Sequence, residues 1–121
     1  MTRLHTCNSN YQFNPPQDIN PLLLQLYEKQ KILVLAARDA QQKRIKKTVL
    51  SWGPKDTVPK KLDVIGWWEL GQEDFLDDFG AFKYNKFLEY DAVVVLSPDR
   101  VHNIFQKAMT DIMNFIKQKS A

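Results

Sequence analysis

The stretch Arg38–Trp52, RDAQQKRIKKTVLSW, decides the fold of this chain because it is compatible with two different structures. Residues 38–47 have high helix propensity, whereas residues 48–52 are typical of a strand. Either a short helix leads into a strand, or a hairpin turns near residues 39–42. We favour the hairpin, because residues 45–52 follow a tolerable period-two pattern.

Apolar runs on both sides of this stretch predict strands. Ile32–Ala37 and Ala92–Leu96 are continuously apolar, which is typical of central strands covered on both faces. A further strand is predicted over Leu62–Leu70, LDVIGWWEL, in which Gly66 indicates a bulge or a close backbone approach. With the hairpin, these runs predict a sheet of four or five strands.

Three segments predict helices. Asn20 followed by Pro21 is a helix start and predicts a helix over residues 20–30, and a shorter helix is predicted over Gln72–Phe79. Ser97 followed by Pro98 repeats the start pattern before a long C-terminal helix. Apolar residues recur there at helical spacing: Val101, Ile104, Phe105, Ala108, Ile112, Phe115 and Ile116.

Together these elements predict one α+β domain over residues 19–121. Its sheet of four or five strands is expected to be mostly antiparallel, packed by an N-terminal helix and the long C-terminal helix. Residues 1–18 are polar and contain Pro15-Pro16, so we expect a flexible N-terminal arm. A helix over residues 39–47 would instead favour a small α/β sandwich.

The composition is that of an ordinary globular domain, with 44% apolar and 26% charged residues among 121. The single cysteine, Cys7, cannot form a disulfide within the chain and indicates a reducing compartment. The first twenty residues hold no secretory signal, and no apolar run approaches the roughly 20 residues that a membrane helix needs. We therefore expect a cytoplasmic protein that does not enter a membrane.

No residue cluster predicts a metal or a cofactor. Glu73, Asp74, Asp77 and Asp78 could collect a hard cation, but they lack the spacing of a calcium loop and favour a solvated helix face. His5 and Cys7 would need further ligands, and the other histidine, His102, adjoins an apolar helix face. We expect no metal, no cofactor and no catalytic residue.

Charge is divided along the chain. Residues 29–61 carry ten basic and two acidic side chains, a net +8, whereas residues 62–91 carry a net −6. The two segments can cancel within the fold or across a dimer, or the basic one can recruit an anionic partner. A strand would divide the cations between two faces, which weakens a nucleic-acid site. The candidates for such a site are Arg38, Lys43, Arg44, Lys46, Lys47, Lys55, Lys60 and Lys61.

Two other groups of residues are candidate sites. Within a strand, Trp67 and Trp68 would point to opposite faces, and with Trp52 they are candidates for partner binding because tryptophan is enriched at binding hot spots. If the two most apolar strands are parallel neighbours, their carboxyl ends would form a ligand crevice. Its candidate residues are Asp39, Ser97, Asp99 and Arg100, although helix capping alone also explains Ser97 and Asp99.

These observations favour a small non-catalytic binding or regulatory domain that acts through protein–protein contact. An adaptor, an inhibitor or an immunity-type accessory protein fits this description, and we expect a protein partner or a homodimer. The first alternative is a nucleic-acid-binding protein that uses residues 38–61. The second is a small-molecule-binding domain or an enzyme at the edge formed by Asp39 and Ser97–Arg100.

Overall fold

The strands form a single sheet in the computed structural model, which describes residues 2–7, 29–37, 42–51, 57–70, 75 and 82–120. They are β1 (Arg3–Cys7), β2 (Lys31–Ala36), β3 (Lys61–Gly66) and β4 (Ala92–Leu96). The order across the sheet is β1-β4-β2-β3, and every neighbouring pair is parallel.

Helices follow three of these strands. The α-helices are α1 (Gln42–Leu50), α2 (Trp67–Leu70) and α3 (Asn103–Ser120). Two 3₁₀ helices flank β4, namely η1 (Tyr84–Glu89) and η2 (Pro98–Arg100). Within the described residues, no helix is both long enough and apolar enough to cross a membrane.

The predicted antiparallel sheet is wrong: this is an α/β domain with an all-parallel sheet. The error lies in the stretch that decides the fold. Antiparallel neighbours can be joined by a tight turn, whereas parallel neighbours need a crossover, which is usually a helix. Because α1 occupies residues 42–50, it supplies that crossover between β2 and β3, as the α/β alternative required.

Helix α1 forms because its two buried residues are four positions apart. Ile45 and Val49 are both fully buried against the sheet, as one face of a helix requires. In the hairpin interpretation, Lys47 would lie on the same strand face as these two residues. In the helix Lys47 is exposed, so the period-two pattern was accidental.

The sheet is covered on both faces. Helix α1 packs on one face, where Ile45 and Val49 join the β2 and β4 residues Ile32, Val34 and Val94. Helix α3 packs on the other face, where Ile112 and Ile116 join Leu33, Leu35, Val93 and Val95. The segment between β3 and β4 adds Phe75 and Phe87 to this second cluster.

The apolar runs of β2 and β4 are confirmed as central strands. All five residues of β4 are buried, and β4 lies between β1 and β2. β3 is shorter than predicted, because the chain enters α2 directly after Gly66. Trp67 and Trp68 are therefore helical, and the prediction that they lie in a strand is wrong.

The N-terminal residues contribute β1 at one edge of the sheet. Arg3–Cys7 pairs in register with Ala92–Leu96, and the Thr2 hydroxyl donates to the Tyr90 carbonyl at 2.5 Å. The rest of the predicted arm lies outside the described residues. The helices predicted over residues 20–30 and 72–79 also lie almost entirely outside the described residues.

Candidate functional site

The carboxyl ends of β2 and β4 meet the condition set for the ligand crevice. The two strands are parallel neighbours, with Leu33 opposite Val93 and Leu35 opposite Val95. The helix after β2 packs on one face of the sheet and the helix after β4 packs on the other. Chain connections therefore diverge between these strands, and ligands of open α/β sheets bind where this happens.

Ser97 is the most unusual residue at this edge. It is 4% exposed, and its φ of 47° and ψ of 59° place it in the left-handed region. Among the described residues other than glycine, it alone has a positive φ. The strain of such a residue is about 1–3 kcal/mol and is often found at functional sites. Its hydroxyl makes no capping hydrogen bond, so the capping explanation for Ser97 is wrong.

Gln106 holds the turn after Ser97 in place. Its Nε2 donates to the Val101 carbonyl at 2.7 Å and to the Pro98 carbonyl at 3.3 Å. Asp99 and Arg100 within this turn are exposed, and Asp39 lies outside the described residues. The structure therefore brings Ser97, Asp99 and Arg100 to one edge.

An aromatic patch lies at the same carboxyl edge of the sheet. Trp68 is 57% exposed, and its indole meets the Phe105 ring edge to face, with centroids 4.9 Å apart. The His102 ring lies 6.3 Å from the Trp68 ring, and Ile104 is 59% exposed. We call Trp68, His102 and Phe105 the aromatic patch.

The two adjacent tryptophans have different environments. Trp67 is only 3% exposed and stacks on Phe105, with ring centroids 6.3 Å apart. Its Nε1 is buried and has no hydrogen-bond partner among the described residues. Of the two described tryptophans proposed for partner binding, Trp68 is exposed and Trp67 is buried. The third, Trp52, lies outside the described residues.

Helix α1 concentrates cations on its solvent side. Lys43, Arg44, Lys46 and Lys47 are all exposed, while Ile45 and Val49 point inward. The helix contains no acidic residue. The division of charge expected for a strand is therefore wrong, and we call these four cations the basic face. Lys60 and Lys61 are also exposed, at the start of β3, whereas Arg38 and Lys55 lie outside the described residues.

A groove of about 410 Å³ runs along the outer edge of β3. Its floor includes every residue from Lys61 to Ile65, and Lys43 and Lys46 of α1 line one side. The opposite side is lined by Phe75, Tyr90, Glu69, Lys86 and Glu89.

A polar cluster lies within this β3-edge groove. The Tyr90 hydroxyl donates to Asp63 Oδ2 at 2.6 Å, and Lys61 Nζ is 3.6 Å from the same carboxylate oxygen. Lys61 Nζ also lies 5.3 Å from the centre of the Tyr90 ring. The Asp63 carboxylate is thus engaged by residues of its own chain.

Sequence reasoning missed most of the groove and every residue of the aromatic patch except Trp68. Asp63 and Tyr90 are 27 positions apart, and nothing local in the sequence links them. His102 and Phe105 were assigned to the border and the apolar stripe of a helix. Both assignments considered the C-terminal helix alone, whereas the two rings lie beside Trp68, which follows β3.

The described residues contain no group of three or more His, Cys, Asp or Glu side chains that could hold a metal ion. The acidic residues Glu73, Asp74, Asp77 and Asp78 lie outside them. Comparisons of this chain with protein-family models, with curated proteins and with solved structures find no match.

Proposed function

We propose that this protein is a small non-catalytic binding domain that acts through protein–protein contact centred on Trp68. The observation that carries the proposal is the aromatic patch, where Trp68 is 57% exposed and its indole contacts the Phe105 ring and lies near the His102 ring. Large apolar side chains that lie together on a surface mark interaction sites more often than scattered ones do. Tryptophan is also among the residues that dominate binding energy at protein interfaces.

The geometry of Trp68 favours a binding role over a packing role. Its edge-to-face contact with Phe105 fixes the indole, so that little further conformational entropy is lost when a partner covers it. Its neighbour Trp67 already fills the core position. The exposed indole is therefore available for a partner, and either a second copy of the chain or a different protein can supply the contact.

The proposal is tested with Trp68→Ala, using Val58→Ala as the matched control. Val58 is 62% exposed but lies before β3, whereas Trp68 follows it, so the two residues flank opposite ends of a strand that is about 17 Å long. Sedimentation velocity measures self-association, and quantitative affinity capture measures other partners. We expect Trp68→Ala to weaken the contact by about tenfold or more, as for a hot-spot residue, and Val58→Ala to leave it unchanged.

Thermal unfolding must first show that both variants fold. The proposal fails if the Trp68→Ala protein matches the unmodified protein in self-association and in the partners that it captures. It also fails if Val58→Ala produces the same loss, because the contact would then depend on exposed apolar area in general.

Nucleic-acid binding is a second candidate function, and the basic face favours it. Four cations on the exposed side of one nine-residue helix match a phosphate backbone better than cations divided between two strand faces. Binding of this kind weakens steeply with salt. Fluorescence anisotropy with single- and double-stranded oligonucleotides at about 50 and 200 mM salt tests it.

The fourfold variant Lys43→Ala, Arg44→Ala, Lys46→Ala and Lys47→Ala separates the two candidates. Nucleic-acid binding predicts that oligonucleotide affinity is lost in this variant and kept in Trp68→Ala. If the fourfold variant retains full affinity, the basic face is not the nucleic-acid site.

A further inference from the structure

We propose that the β3-edge groove binds an extended peptide as an added strand, and that this peptide carries acidic side chains at alternate positions. The site is distinct from the aromatic patch and does not depend on it. Trp68 does not line the groove. Three features support this site: no described strand pairs with the outer edge of β3, the two sides of the groove differ in chemistry, and side chains of a strand alternate in direction.

Within the part of the chain that the structure describes, β3 is an edge strand, and its outer side lines the groove. β3 pairs with β2 alone among the described residues, and five consecutive β3 residues line the groove. A parallel strand in this position presents backbone N–H and C=O groups outward. An extended peptide can pair with them, which is a recurring mode of peptide recognition.

The groove is long enough for several peptide residues. From Lys61 to Ile65 the strand rises about 13 Å. A second cavity of about 370 Å³ shares Lys61, Glu89 and Tyr90 with the groove and adds Lys31. The accessible edge therefore extends to the amino end of β3.

The two sides of the groove differ in charge. On the α1 side, Lys43 and Lys46 line the groove, and α1 contains no acid to offset them. On the α3 side, Lys86 is balanced by Glu69 and Glu89, and aromatic atoms of Phe75 and Tyr90 contribute apolar surface. Asp63 faces this second side, where Tyr90 and Lys61 hold its carboxylate.

Because the two sides of the groove differ in charge, strand geometry predicts which peptide sequence binds there. Successive side chains of an added strand point to opposite faces of the sheet. Every second side chain would therefore meet Lys43 and Lys46, and the others would meet the side formed by Phe75 and Tyr90. Acidic residues alternating with apolar residues match both sides.

The test uses a fluorescently labelled eight-residue peptide of alternating Glu and Val, with anisotropy measured at about 150 mM salt, where unpaired charges beyond about 8 Å are screened. Two double variants of α1 carry the same change in charge. Lys43→Glu with Lys46→Glu alters the groove. Arg44→Glu with Lys47→Glu alters exposed residues of the same helix that do not line it.

We expect the groove variant to weaken peptide binding at least tenfold and the matched control to change it less than threefold. A peptide of alternating Lys and Val should show the reverse preference and bind the groove variant more tightly than the unmodified protein. Equal losses in the two double variants, or no reversal with the lysine peptide, overturn the proposal, since either result indicates general attraction between opposite charges.

Backbone pairing is tested separately with N-methylated peptides. Methyl groups on every second amide block one edge of a strand, so two peptides methylated in alternate phases present opposite edges. One phase should lose binding and the other should retain it. Equal affinity for both overturns strand addition. Competition by an oligonucleotide would also overturn strand addition if both double variants lowered the oligonucleotide affinity equally. The basic face would then be a nucleic-acid surface.

Failure here is distinguishable from failure of the contact centred on Trp68. Trp68→Ala should leave peptide affinity within twofold of the unmodified protein. Conversely, Lys43→Glu with Lys46→Glu should leave any contact made through the aromatic patch intact.

Discussion

The two faces of the sheet are built differently. On the α3 face, long apolar side chains and aromatic rings form a thick layer that includes Phe75, Phe87 and Trp67. On the α1 face, the described residues of the layer are all aliphatic, such as Ile45 and Val49. The outer surface of α1 is strongly cationic, whereas α3 emerges beside exposed aromatic side chains. We infer that the α3 face supplies most of the stability and that the α1 face supplies charge.

The largest expected effect concerns the thick layer. Phe87 is fully buried, and its ring centroid lies 5.1 Å from that of Phe75. Phe87→Ala should lower the free energy of unfolding by about 4 kcal/mol, because a large cavity replaces the ring. Urea denaturation measures the loss. A value below about 2 kcal/mol would show that the α3 face does not supply most of the stability.

A smaller effect is expected on the α1 face. Ile45 is also fully buried, but it lies on a nine-residue helix whose layer can collapse more easily around a cavity. Ile45→Ala should lower the free energy of unfolding by about 2–3 kcal/mol, again by urea denaturation. If it destabilises the protein as much as Phe87→Ala does, the two faces are energetically equivalent.

The left-handed turn at Ser97 lies at the carboxyl edge of the sheet rather than on either face. Substitutions there test how much strain this turn holds. Ser97→Gly should be tolerated, because glycine adopts a positive φ without strain. Ser97→Val should be about 2 kcal/mol less stable than Ser97→Gly, since a β-branched residue is strongly disfavoured at φ 47°. Differential scanning calorimetry of the pair measures the difference. Equal melting temperatures would show that residue 97 leaves the left-handed region at little energetic cost.

The smallest effect on stability is expected for the basic face. Replacing Lys43, Arg44, Lys46 and Lys47 together by alanine should change the free energy of unfolding by less than about 1 kcal/mol. Exposed substitutions away from caps and networks have small effects, and alanine has the highest helix propensity. Denaturation of the fourfold variant checks this value. A loss above 2 kcal/mol would mean that these cations stabilise the fold, so their role in binding could not be tested by this variant.

The candidate sites were predicted from the sequence only in part. The residues of the basic face, Trp68 and Ser97 were all proposed as site residues. Their arrangement was not, because it depends on neighbours distant in the sequence: Phe105 is 37 positions from Trp68, and Tyr90 is 27 positions from Asp63. Lys43, Lys46 and Lys61 were proposed as site residues, but the β3-edge groove that they line was not, since no local pattern indicates which strand lies at an edge.

The sequence by itself determined the elements whose pattern is local and unambiguous. The apolar runs of β2 and β4 are buried strands in any fold, because so many adjacent apolar side chains must be covered on both faces. The helical spacing from Ile104 to Ile116 likewise admits one structure. The helix begins at Asn103 rather than after Ser97, however, and Val101 is extended. The charge of residues 29–61 also follows from the sequence alone.

The tertiary structure alone decided the direction of the strands and the position of the charge. Residues 42–50 are compatible with a strand or a helix, and packing of Ile45 and Val49 on the sheet selected the helix. That selection made β2 and β3 parallel and gathered the four cations on one exposed side. In the same way, packing buried Trp67 and left Trp68 exposed. Local propensities differ by less than about 1 kcal/mol per residue, whereas burial of one large side chain contributes about 1.5–3 kcal/mol, so tertiary contacts prevail.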